Sequence, residues 1–113
     1  MAKNVDLQQS SLDLMILKAA SFGPVHGYAV VRWIQAVTED MLLIEEGTLY
    51  PVLHRLEERG WIASDWGISD NNRRAKFYQI TGRGRRQLRA ATSTWGNLAR
   101  AVEQVLDATK EPV

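Results

Sequence analysis

Seven cations stand between Arg73 and Arg89 with no acid among them: Arg73, Arg74, Lys76, Arg83, Arg85, Arg86 and Arg89. The stretch from Glu39 to Glu58 holds six acids instead. The whole chain carries a net charge of only +1, so the basic run is local. A concentrated basic segment on a near-neutral chain suits contact with a polyanion such as nucleic acid, and it equally suits a solvated helix face. His26 and His54 are the only histidines, and there is no cysteine. Without thiolates or a matching carboxylate spacing they make a poor metal site, so neither metal nor cofactor is expected. No glycine-rich phosphate loop, nucleophile elbow or catalytic carboxylate pair occurs, which argues against an enzyme.

The elements that must carry these cations follow from periodicity. The chain has 113 residues, 45% of them hydrophobic, which suits one packed domain. No stretch reaches the roughly 18 apolar residues of a membrane span. The first residues lack the basic-then-apolar pattern of a secretory leader, and a cytoplasmic protein is expected. Leu12, Met15, Ile16 and Ala19 predict a first helix from Leu12 to Ala20, with Ser10 and Asp13 as its capping box and Gly23-Pro24 as its stop. Val30, Ile34 and Val37 predict a second helix from Gly27 to Val37. Met41 to Ile44 then reads as an extended segment pinned to the core.

Leu49, Val52 or Leu53, and Leu56 predict a third helix from Glu46 or Gly47 to Arg59. Pro51 is placed in its first turn and Gly60 at its end. Trp61–Trp66 and Ala75–Ile80 read as strands, with a long polar tip between them. Thr81 reads as the N-cap of a last helix from Gly82 to Ala108. On that helix Leu88, Trp95 and Val102 recur every seven residues, and Ala91, Leu98 and Val105 follow them three residues later. This is an a/d seam of the kind that joins helices from two copies.

Helix, helix, helix, strand, tip, strand, long helix is the order of a winged helix-turn-helix. The expected fold is mainly α with a small β-hairpin. Residues 1–81 form the DNA-binding domain and 82–113 the C-terminal dimerisation helix. The third helix enters the major groove, presenting Thr48, Pro51, His54 and Arg55. Arg55 is the expected reader of guanine. The hairpin tip, with Asn71, Asn72, Arg73, Arg74 and Lys76, meets phosphates or the minor groove. Tyr50 fits a plain half-buried aromatic, and Glu57 and Glu58 are expected to face solvent. The dimer interface is expected from Leu12, Met15, Leu88, Ala91, Trp95, Leu98, Val102 and Val105. The rival reading is a winged-helix protein-interaction module that binds no DNA.

The segment from Gly47 to Ile62, GTLYPVLHRLEERGWI, resembles the recognition-helix signature of PadR-like transcriptional regulators. Leu14-Met15-Ile16-Leu17 and Gly23-Pro24-Val25-His26-Gly27-Tyr28 resemble the family's first helix and the turn after it. Asn72 to Tyr78 resembles its basic wing, and Tyr78 to Leu88 resembles the start of its last helix, with Ile80 in place of leucine. The single C-terminal helix resembles the short subfamily. The resemblance implies a homodimer, usually a repressor, that binds double-stranded DNA at a pseudo-palindromic operator and leaves it when an effector binds. It also implies a phosphate contact from the Tyr50 hydroxyl. Some members hold planar aromatic ligands between tryptophans at the dimer centre. Trp95 stands where such a tryptophan is expected, and it fits equally as dimer core.

Overall fold

The computed structural model describes residues 7–113, with side chains from residue 11 onward. The elements are α1 (Leu7–Ala20), β1 (Val25–His26), α2 (Gly27–Val37), α3 (Glu46–Glu58), β2 (Ile62–Ile68), β3 (Arg74–Ile80) and α4 (Gly82–Leu106). The three strands form one antiparallel sheet in the order β1-β3-β2. The winged-helix order therefore holds, with a third strand added. Val25 pairs with Tyr78 and His26 with Phe77, which ties the turn before α2 to the inner strand of the wing.

The core is the sum of the predicted stripes. Ile16 and Leu17 of α1, Val30 and Ile34 of α2, and Leu49, Leu53 and Leu56 of α3 are buried, with Ile62 and Ile80 at the root of the wing. Burying each such side chain is worth roughly 1.5–3 kcal/mol over leaving it exposed. Met15, Trp33, Ile44, Trp61 and Leu88 pack around the edge of this cluster.

Helix ends are set by local chemistry. His26 caps α2 by accepting a hydrogen bond from the Ala29 N–H at Nδ1, 3.3 Å away. Gly60 ends α3 in the left-handed region, φ +77°, where glycine has no Cβ penalty. Thr81 caps α4: its hydroxyl oxygen accepts from the Gly84 N–H at 3.0 Å and donates to the Gly60 carbonyl at 2.6 Å. The Thr81 N–H donates to the Trp61 carbonyl at 3.0 Å. A Cβ on Gly84 would stand 1.9 Å from that same carbonyl oxygen. Glycine at this position is what lets α4 dock against the root of the wing.

Four expectations are corrected here. The first helix begins at Leu7, so Ser10 lies inside it and is no N-cap. Pro51 is the sixth residue of α3, beyond the first turn. It gives no N–H to the carbonyl of Gly47, which lies on the exposed face. Met41 and Leu43 are largely exposed, and of the connector only Ile44 packs on the core. α4 stops at Leu106, with Asp107 as C-cap.

α4 has 25 residues, about 37 Å at 1.5 Å per residue. Its first half lies against α1 and the core through Leu88, and every residue from Arg100 onward is exposed. The described residues span 62 × 30 × 22 Å.

Candidate nucleic-acid interface

On α3 the buried stripe fixes which side chains face outward. At 100° per residue, Pro51 and His54 lie opposite Leu49, Val52, Leu53 and Leu56, and both are exposed. Thr48 is also exposed. His54 lies 3.1 Å from Glu58, one turn on, and both are well solvated. Tyr50 turns toward α2. Its ring lies 3.0 Å from where a Cβ on Gly27 would be, so a larger residue at 27 would push the ring aside. Partial burial, and then the nearby Glu46 carboxylate, hold the Tyr50 hydroxyl in its protonated form above the ordinary value of 10.0. It therefore presents an O–H donor.

Arg55 does not join this surface. It sits on the flank that meets α1, where Nη2 lies 2.5 Å from the Asp13 carboxylate, with the side chains 24% and 17% exposed. The base-reading role expected of Arg55 is corrected by this geometry: the pattern placed it off the apolar stripe without showing that α1 covers that flank. Glu57 is corrected as well. It accepts from the Ser64 hydroxyl at 2.5 Å and lies 3.7 Å from Lys76, bracing α3 against the wing.

The wing is a seven-residue ladder, running from Ile62 opposite Ile80 to Ile68 opposite Arg74. Its turn is closed by Ser69 N–H to the Arg73 carbonyl at 2.8 Å and Asn72 N–H to the Ser69 carbonyl at 2.9 Å. Asn72 has φ +57°, a conformation asparagine tolerates. Asn71, Asn72 and Arg73 are exposed at this tip. Arg74 lies over the Trp66 ring at 4.5 Å. The three wing cations are therefore unlike: Arg73 projects, Arg74 is stacked, and Lys76 shares Glu57.

Between the wing and α2–α3 runs a groove of about 690 Å³. Tyr50 and Tyr78 form its floor with His26 and Gly27, Arg73, Arg74, Lys76 and Trp66 line the wing side, and Tyr28 and Arg32 line the α2 side. Arg32 stacks over Tyr28 at 4.9 Å. Stacking leaves the edge of each guanidinium open to donate. Asp70 is the one carboxylate lining it. Tyr28, Arg32 and Trp66 were not anticipated from sequence. The signal was present for the first two, an aromatic and a cation one helical turn apart. Of the α3 candidates only Tyr50 lines this groove. Thr48, Pro51 and His54 lie outside it on the convex face of the helix.

A second cleft, about 250 Å³, lies between α1 and α4 and is lined by Asp13, Leu17, Trp61, Ala91, Trp95 and Leu98, among others. Trp95 is 46% exposed, Val102 47% and Val105 74%. Leu12, expected at a dimer interface, is corrected: it is 6% exposed and belongs to the core. Met15 and Leu88 are partly buried against that core. Among the described residues no cluster of side chains suits a metal ion, and no helix is long and apolar enough to cross a membrane.

A helix with a free convex face, beside a hairpin of exposed cations, defines the winged-helix class of DNA-binding proteins. The family model of the PadR-like transcriptional regulators matches residues 16–90, and the chain belongs to that family. It is 34% identical over 98 residues to a transcriptional regulator of Mycobacterium tuberculosis, covering 86% of this chain and 87% of that protein. A transcriptional regulator structure from Clostridium thermocellum superposes with a TM-score of 0.79 at 27% identity, over 88% of this chain and 97% of that one. A PadR family regulator from Eggerthella lenta gives a TM-score of 0.75 at 31% identity, over 92% and 88%. These relatives are transcriptional regulators rather than enzymes. Regulators of this family bind DNA and usually dimerise.

Proposed function

We propose that this chain is a homodimeric cytoplasmic repressor that binds a pseudo-palindromic operator. Thr48, Pro51 and His54 of α3 meet base edges in the major groove, and Tyr50 donates its hydroxyl to a phosphate. The sugar-phosphate ridge between major and minor grooves lies in the cavity between α2–α3 and the wing. There Arg32, Arg73, Arg74 and Lys76 meet phosphate, while Asn71 and Asn72 reach the adjacent minor groove. The observation that carries this reading is that groove, with stacked arginines on both walls and a protonated tyrosine at its floor.

Residues 82–113 act as the dimerisation element, with Ala91, Trp95, Leu98, Val102 and Val105 facing the partner copy. The dimer holds its two α3 helices about 34–36 Å apart, the spacing of successive major grooves on one DNA face. An aromatic effector seated by Trp95 releases the operator.

The test is anisotropy titration of the full chain at moderate salt on an inverted repeat from the DNA upstream of its own gene. Random duplex of equal length is the comparison. The expected result is one dimer per fragment and a preference of roughly 10³-fold or more over random DNA. Equal affinity for both duplexes removes operator recognition, and absence of binding to either removes the reading.

A further inference from the structure

Asp13 belongs to two structures at once. Its carboxylate accepts from Arg55 of α3, and it stands in the wall of the α1–α4 cleft with Leu17, Ala91, Trp95 and Leu98. Just past the end of α3, Arg59 lies over the Trp61 ring at 5.2 Å, and both of these side chains line the same cleft. The second half of α3 is thus tied to the wall of that cleft by the Arg55–Asp13 ion pair. This tether differs from the rest of the α3 packing. Apolar burial is non-directional and lets a helix slide by fractions of an ångström. A guanidinium on a carboxylate is directional and fixes a distance and an angle.

We propose that Asp13 is a positioning residue for DNA recognition, its ion pair with Arg55 setting the pitch of α3 and passing to α3 the filled or empty state of the α1–α4 cleft. This rests on the reading of α3 as the operator-facing helix. Whatever enters the cleft meets Asp13 in its wall. Displacing that carboxylate draws Arg55 with it, because a mostly buried cation does not give up its counter-ion cheaply. Arg55 lies one turn from Pro51 and next to His54, so a shift there re-aims the convex face. A state change at the cleft is thereby turned into a change of fit in the major groove.

The experiment uses the full chain and fills the cleft from within. Ala91→Phe puts a ring into the cavity, and Ala91→Leu is the smaller filler should the larger one not fold. Each is made in the native background and in the bridge-free pair Asp13→Leu with Arg55→Met. That pair removes both charges of the bridge together, so neither is left facing the other's vacancy. Backbone amide NMR shifts of α3, from Val52 to Glu58, are the first readout and require no DNA. The proposal expects the filler to move them in the native background and to leave them in place in the bridge-free one. Unmoved shifts in the native background, or equal movement in both, overturn it.

The second readout is affinity for the operator. Filling the cleft should weaken it by roughly five-fold or more in the native background and by less than about two-fold without the bridge. Equal weakening in both backgrounds also overturns the proposal. A chain that binds no DNA overturns the operator reading, and the NMR readout then decides the coupling by itself.

Discussion

The wing and α4 are the two projections of this molecule, and they grow from one root. Trp61, Thr81 and Gly84 join them through a shared carbonyl, a hydroxyl cap and a close backbone approach. Beyond the root they part. The wing ends in Asn71, Asn72 and Arg73, which water satisfies fully. α4 ends in exposed Val102, Val105 and Leu106, which water does not favour. A polar tip is at rest in water, whereas an apolar tip is not. The difference teaches that one root carries two chemically unlike ends, one ionic and one hydrophobic, and that their proposed roles are separable by mutation.

The largest effect comes from breaking the root. Gly84→Ala brings a methyl group into the Trp61 carbonyl, and we expect both projections to loosen together. Overpacking of this kind costs about 3 kcal/mol or more when backbone must move. A lowered urea midpoint at unchanged slope checks it. A native-like midpoint shows that the root is soft.

Breaking only the apolar tip is the next largest. Val102→Glu with Val105→Glu should weaken the dimer by about two orders of magnitude, close to 3 kcal/mol. Stability of the monomer fold should stay within about 0.5 kcal/mol, since both side chains are exposed. Sedimentation and thermal melts read the two quantities. Loss of the fold along with the dimer erases the distinction between tips.

Breaking only the polar tip is gentler. Arg73→Ala should flatten the dependence of log affinity on log salt by roughly 1.8, which is 0.9 for each copy in a dimer. Specific and random DNA should weaken alike. An unchanged slope means that the tip meets no phosphate.

The smallest effect belongs to the floor of the groove. Burial, then the Glu57 carboxylate and Tyr50, raise the Tyr78 hydroxyl above 10.0, and Tyr50 is raised in the same direction. Both groups hold their protons to higher pH folded than unfolded. The stability they contribute is present in full below pH 10 and is lost as pH rises through their folded values. Ultraviolet difference titration should show Tyr50 and Tyr78 ionising at higher pH in the folded chain than in the same chain unfolded in urea. Ionisation at the unfolded pH would show that the floor of the groove is open to water.

Sequence periodicity carried the parts of the fold that repeat. α2, α3, the hairpin and α4 were legible within a residue or two, because stripes and caps are local. The parts set by distant partners were not. β1 is two residues long, too short for any alternation, and exists because β3 lies beside it. Arg55 sits at a helical angle that reads as exposed until α1 is known to cover it, and Asp13 is 42 positions away. Met41 and Leu43 look like core by type, yet among the described residues nothing covers them. The site was legible as residue types, namely the wing cations and Tyr50. It was not legible as a shape, because the α2 wall of the groove appears only when α2 and the wing are brought face to face.

Gly27 and Tyr50 also constrain how the sequence can drift. The ring occupies the space that a methyl group at 27 would claim, so the two positions are not free to vary alone. Alanine at 27 would ask the half-exposed Tyr50 ring to give by a few tenths of an ångström. A methyl group at the start of α2 therefore re-aims the hydroxyl at the floor of the groove.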